Sequence, residues 1–243
     1  MRQEIINKLN EIEKKENVKI IYAAESGSRA WGFESKDSDY DVRFIYVREK
    51  EDYLCLDERK DVIELPIDPV FDISGWDIKK ALKLLYKSNP SLLEWFASPI
   101  VYKETKEASY IREIIPLYFS PKKTYYYQKM ARMHFKYMNK EEIRIKKYLY
   151  ILRALLSSQY ILDYKKQPPI EIEKLIAYEL PVELKEDMYK LLMIKKNSNE
   201  KQYVSHIHSL DCFIMSCLRD EVFIKEEVSW DLLDQAFRKI ICD

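Results

Sequence analysis

Asp39 and Asp41 stand either side of a tyrosine in the run Asp37-Ser-Asp-Tyr-Asp. If this run enters a strand, the period of two puts both carboxylates on one face, a few ångströms apart. Two like charges that close repel unless a cation lies between them. Mg2+, or Mn2+ in its place, is the natural partner, because it takes hard oxygen ligands and keeps positions open for substrate phosphates. A third carboxylate from a neighbouring strand would complete a two-metal arrangement. Asp72 is the candidate, since Phe71-Asp72-Ile73 alternates apolar and acidic residues as a strand does. All three aspartates are thus candidate metal ligands and candidate catalytic residues.

Upstream lies Gly27-Ser28, directly after an apolar run from Val18 to Ala24. Backbone N–H groups at such a turn point at an anion, and the Ser28 hydroxyl adds a further donor. Arg29 is positioned to approach the same phosphates. The chain holds 3 glycines in 243 residues, and Gly27 and Gly32 both fall within this window. Glycine used so sparingly marks a place where a side chain would obstruct something, here expected to be a nucleoside triphosphate. Phosphoryl and nucleotidyl transfer consist largely of positioning and charge neutralisation, so these parts nearly suffice.

The elements that must position them follow from periodicity. Residues 1 to 16 read as a helix with Ile5, Ile6, Leu9 and Ile12 at helical spacing, stopped by Asn17. Val18 to Ala24 reads as a strand buried on both faces. Residues 29 to 33 form one helical turn in this reading, and 41 to 47 return as a strand. Further strands are expected at 62 to 67 and at 70 to 74, the latter ending at Gly75. Asp77 opens a helix with Ile78, Ala81, Leu82 and Leu85 on one face, closed by Asn89-Pro90. Ser91 then caps a short helix to Ala97, and 100 to 102 make a small extra strand. Beyond residue 104 only helices are expected, at 107–117, 121–138, 142–163, 170–178, 183–195, 204–218 and 230–240. The fold class is α+β, with a nucleotide-handling domain over 1–103 and a helical domain over 104–243.

Composition bounds the rest. Hydrophobic residues make up 47% and charged residues 34%, as in a globular protein. No apolar run approaches the roughly 20 residues of a membrane span, and Met1 to Leu9 lacks a signal-peptide core, so no membrane association and a cytoplasmic location are expected. Cys55, Cys212, Cys217 and Cys242 form no paired ligand set and read as reduced thiols. His134, His206 and His208 make no convincing zinc site with them. Formal net charge is zero, yet residues 122 to 166 hold 12 basic against 3 acidic residues. A basic middle suits an enzyme that handles a polyanion, and equally a solvated helix face.

The string Glu25-Ser-Gly-Ser-Arg-Ala-Trp-Gly-Phe, with Asp37-Ser-Asp-Tyr-Asp-Val-Arg-Phe-Ile-Tyr-Val, resembles the nucleotidyltransferases of the RNA repair pathway DNA polymerase β family. Asp72-Ile-Ser-Gly-Trp-Asp, Ser88-Asn-Pro-Ser-Leu-Leu-Glu-Trp and Lys147-Tyr-Leu-Tyr-Ile-Leu-Arg153 are similar to the same branch, and the likeness runs from about residue 18 to about 180. The resemblance implies a polymerase β-like domain with a small mixed sheet and Mg2+-dependent transfer of a nucleotide from an NTP such as ATP to an acceptor hydroxyl. Gly27, Ser28 and Arg29 would hold the triphosphate, Asp39 and Asp41 the metal, and Asp72 would be the third carboxylate and general base. An RNA end is the favoured acceptor, with an RNA ligase as an associated partner. A protein or small-molecule acceptor, or a non-catalytic nucleotide-binding module, are the alternatives.

Several residues carry two readings. Lys79, Lys80, Lys83 and Lys87 ride one helix, as a phosphate-facing or a solvated face. Tyr125, Tyr126 and Tyr127 among Lys122, Lys123, Lys129, Arg132 and Lys136 suit base stacking or a helix core. Lys146, Lys147 and Arg153 suit triphosphate closure or structural pairing, and Trp31 and Trp76 suit packing support beside the motif glycines.

Overall fold

The computed structural model describes residues 1–57, 59–66, 68–220 and 228–242. The chain forms two compact units. The first comprises residues 1–30, 39–119 and 226–243, and the second 31–38 and 120–225. The units do not follow a single cut after residue 103. The C-terminal helix joins the first unit, and the segment between the two halves of the motif joins the second.

In the first unit, α1 (Arg2–Glu16) ends at Asn17 in the left-handed conformation, φ 50°, with its N–H on the Glu13 carbonyl. A mixed five-stranded sheet follows from β1 (Lys19–Glu25), β2 (Tyr40–Val47), β3 (Val62–Glu64), β4 (Phe71–Asp77) and β5 (Val101–Glu104), in the order β3-β4-β2-β1-β5. β2 runs parallel to β4, and the other pairs are antiparallel. Alternation sorts β2 cleanly. Val42, Phe44 and Tyr46 join Ile5, Leu9 and Ile12 of α1 in one core cluster, while Ile45 and Val47 join the opposite one. That second cluster takes in α4 (Ile78–Tyr86), α5 (Pro90–Phe96), α6 (Lys106–Tyr118) and α12 (Asp231–Cys242). The short helices α2 (Gly27–Trp31) and α3 (Lys50–Leu54) lie in the connections.

Several elements differ from the sequence reading: α2 spans Gly27–Trp31 rather than 29–33, β3 is Val62–Glu64, and α3 has no counterpart in it. β4 does not stop at Gly75 but runs on to Asp77. A Cβ at residue 75 would lie 2.2 Å from the Phe44 ring, so this glycine clears space for an aromatic rather than ending a strand. The cap of α5 is Asn89, whose side chain accepts from the Leu92 N–H at 3.2 Å, with Pro90 at its first turn; Ser91 is already helical.

The second unit is helical, with α7 (Thr124–Phe135), α8 (Ile145–Tyr164), α9 (Ile172–Glu179), α10 (Val182–Asn197) and α11 (His208–Cys217). Its core is the stripe Tyr148, Leu149, Leu152, Leu155 and Leu156 of α8. The expected helices at 142–163 and 204–218 are each shorter, because β6 (Glu142–Arg144) and β7 (Tyr203–Ser205) pair antiparallel in front of them. Each strand alternates polar, apolar, polar, and Ile143 is buried. The expected helix at 121–138 is likewise divided, into a 3-10 turn, α7 and a second 3-10 turn.

Candidate active site

The sheet brings two of the three aspartates together. In the parallel β2–β4 pair, Asp41 and Asp72 are direct register partners. Arg43, two residues along β2 and on the same face as Asp41, bridges them. Its Nη2 donates to Asp41 Oδ1 at 2.9 Å and to Asp72 Oδ2 at 2.7 Å, and its Nη1 donates to Asp72 Oδ1 at 3.1 Å. Nη1 also donates to the Asp72 carbonyl at 2.8 Å. The guanidinium beside Asp72 holds its carboxyl below the usual carboxylate range. Asp39 lies one residue before the strand. Its carbonyl accepts from Arg29 Nε at 3.0 Å, and among the described residues no hydrogen bond or ion pair reaches its carboxylate.

Gly27 has φ +61°, and a Cβ there would lie 1.9 Å from Asp41 Oδ2. The obstruction that this glycine avoids is therefore the Asp41 carboxylate itself. The sequence reading placed a nucleoside triphosphate against this glycine. Gly32, at φ +82° with open space around it, serves backbone conformation alone. Ser28 is buried behind Gly27 in α2. The Arg29 guanidinium lies 3.9 Å from the centre of the Tyr40 ring, a cation–π contact that fixes it beside the motif.

Glu25 supports the same corner. Buried at the end of β1, its Oε1 accepts the Asp41 N–H at 2.9 Å, and Oε2 accepts from the Tyr102 hydroxyl. Burial raises its pKa to about 7. The backbone closes the arrangement, with the Ser26 N–H on the Asp41 carbonyl at 2.8 Å. Neither Arg43 nor Glu25 was assigned a role from sequence, although both sit within the motif string. The signal for Arg43 was the same period of two that linked Asp39 to Asp41.

Among the described residues no three His, Cys, Asp or Glu side chains lie close enough together to hold a metal ion. The pair Asp41 and Asp72 nevertheless suits a cation, because one positively charged nitrogen already sits within 2.9 Å of an oxygen from each. Mg2+ is commonly bound by one or two carboxylates plus substrate phosphates, so a pair fits the chemistry of the donor set.

A model of the RNA repair pathway DNA polymerase beta family matches residues 1–239. The chain belongs to this family. As a member it is α+β, with the mixed sheet and helical C-terminal region described above. The family name carries a polymerase beta-like role in RNA repair. This member is also 46% identical over 219 residues to the uncharacterized protein YcgL of Bacillus subtilis (strain 168), covering 88% of the chain and 84% of that relative.

Other expected participants have structural partners. Arg153 is buried, donates to the Ile170 carbonyl at 3.1 Å and lies 4.1 Å from the Trp31 ring centre. Lys146 pairs with Glu200 at 2.7 Å. Trp31 packs edge-on to Tyr150, and Trp76 stacks on Trp95 at 3.8 Å. Tyr127 is buried, and Lys80 pairs with Asp61 at 3.1 Å. No helix among the described residues is long and apolar enough to cross a membrane.

Proposed function

We propose that this protein transfers a nucleoside monophosphate from an NTP to a hydroxyl at an RNA end. The observation that carries the reading is the register pair Asp41 and Asp72, held around one cationic nitrogen. Mg2+ held there by Asp41 and Asp72, with Asp39 joining them from the residue before β2, would neutralise the triphosphate and polarise the α-phosphorus. The acceptor oxygen bonds to that phosphorus, its bond to the bridging oxygen breaks, and pyrophosphate leaves.

The residues have separate tasks. Asp41 is fixed from three directions, by Arg43 at its carboxylate, by Glu25 at its N–H and by the Ser26 N–H at its carbonyl. Gly27 leaves its carboxylate room, and Gly27, Ser28 and Arg29 form the triphosphate-facing turn. Asp72 receives the acceptor's proton. Its lowered pKa makes it a poor base while Arg43 bonds it, so Arg43 must release Asp72 for the reaction. The basic stretch 122 to 166 and the family's RNA-repair name favour RNA as acceptor. The test is a mixture of the protein, Mg2+, each NTP and a short RNA with a free or a blocked 3′-hydroxyl. Extension of the free end alone is expected. Nucleotide found only on protein or a small molecule overturns the RNA reading.

A further inference from the structure

A cavity of 220 Å³ within the second unit is lined by Tyr137, Lys140, Arg144, Lys147 and Tyr203, with Glu142 and Ile143 completing its wall. Its charges are out of balance. Among the described residues no carboxylate lies within ion-pair reach of Lys140, Arg144 or Lys147, whereas neighbouring Lys146 pairs with Glu200. Arg144 instead donates from Nε to the Tyr203 hydroxyl at 3.0 Å, with its guanidinium 5.5 Å from that ring centre. Lys147 lies 5.5 Å from the Tyr137 ring centre, and Lys136 lies 5.3 Å from it on its own account. The cavity also stands at the first turn of α8, which has no acidic residue to offset the positive end of the helix dipole. Cations gathered at a helix N-terminus are unfavourable without an anion, and among the described residues no carboxylate pairs with these three, Glu142 included, although that residue lines the wall.

We propose that this cavity is a binding subsite for single-stranded RNA, with phosphates on Lys140, Arg144 and Lys147 and bases against Tyr137 and Tyr203. The inference rests on the RNA-acceptor reading above and places a contact for that strand. Size separates the strand from a small molecule. A cavity of 220 Å³ is below the roughly 300–1,000 Å³ typical of pockets that enclose a small ligand. It suits one phosphate or base of a chain passing over the surface. Tyrosines interleaved with cations that no described carboxylate pairs with are what stacking platforms for single strands require. Burial, together with Lys147 and Lys136, lowers the pKa of nearby His134 to about 4, which accords with a positive local field.

The test measures binding of a labelled single-stranded RNA decamer to the full chain by fluorescence anisotropy, without NTP or divalent cation. Arg144→Ala with Lys147→Ala is expected to weaken binding about 10-fold or more, and to reduce the salt slope by about 1.4, as for two lost phosphate contacts. Lys140→Glu, an exposed side chain with no bond to break, is expected to act in the same direction. Tyr137→Leu is expected to weaken binding about 10-fold with the salt slope unchanged. The site is overturned if wild type does not bind, if it binds poly-glutamate as well as RNA, or if folded Lys140→Glu and the double variant bind like wild type. A chain that binds here yet transfers no nucleotide upholds the site and refutes the proposed reaction. Transfer to another acceptor without RNA binding refutes the site.

Discussion

At the end of the sheet two carboxylates share one guanidinium, whereas around the cavity of the helical unit three cations have no carboxylate within ion-pair reach among the described residues. The first group is partly neutralised from within, one guanidinium serving two carboxylates. The second is left for something else to neutralise. A carboxylate pair held by a removable cation is suited to accept a metal, and an uncompensated cationic rim is suited to accept phosphates. Under the proposed function the first would hold the nucleotide donor and the second the strand that receives it.

Acid should destabilise the helical unit through a buried histidine. His134 is buried, its Nδ1 has no hydrogen-bond partner among the described residues, and burial lowers its pKa to about 4. A lowered histidine pKa contributes stability that is present above the unfolded value near 6.5 and lost as pH falls through about 4. The loss across this window is about 3 kcal/mol, read by denaturant unfolding at stepped pH, and His134→Phe is expected to flatten it. An unchanged pH profile in that variant would remove the cause.

Gly27→Ala strikes the carboxylate pair next. The new Cβ must displace Asp41 Oδ2 and hold a left-handed backbone, a cost of about 2 kcal/mol. A lower melting temperature together with lost nucleotide transfer is expected. A variant with wild-type activity would show that Asp41 tolerates the shift.

Arg43→Gln is the smallest effect and the sharpest on mechanism. Asp72 is half exposed, so losing the bridge is expected to cost only about 1 kcal/mol. Added Mg2+ should then raise the melting temperature of the variant more than that of wild type, because the competing cation is gone. An equal rise in both would mean that Arg43 and the metal do not compete.

Much of the sheet and part of the site could be read from residue order. Alternation in Phe71-Asp72-Ile73 correctly set Asp72 on a strand, and register then brought it opposite Asp41. Spacing along one strand cannot show which cation lies between two others, so Arg43 passed as part of a string. Gly27 stands out in the sequence by its rarity, but its role in making room for Asp41 depends on a contact that forms only in the fold. Strands β6 and β7 are three residues each, shorter than the window in which helical and strand periods differ. The cationic cavity depends on their pairing, which joins Arg144 to Tyr203 across distant parts of the chain.

The most direct measurement uses two labelled NTPs, one carrying the label at the α-phosphate and one at the γ-phosphate, with RNA and Mg2+. The α-label should appear on RNA with release of pyrophosphate, and fall at least about 100-fold in Asp72→Asn and Asp41→Asn. Transfer of the γ-label, or α-label transfer undiminished in both variants, would contradict nucleotidyl transfer at this carboxylate pair.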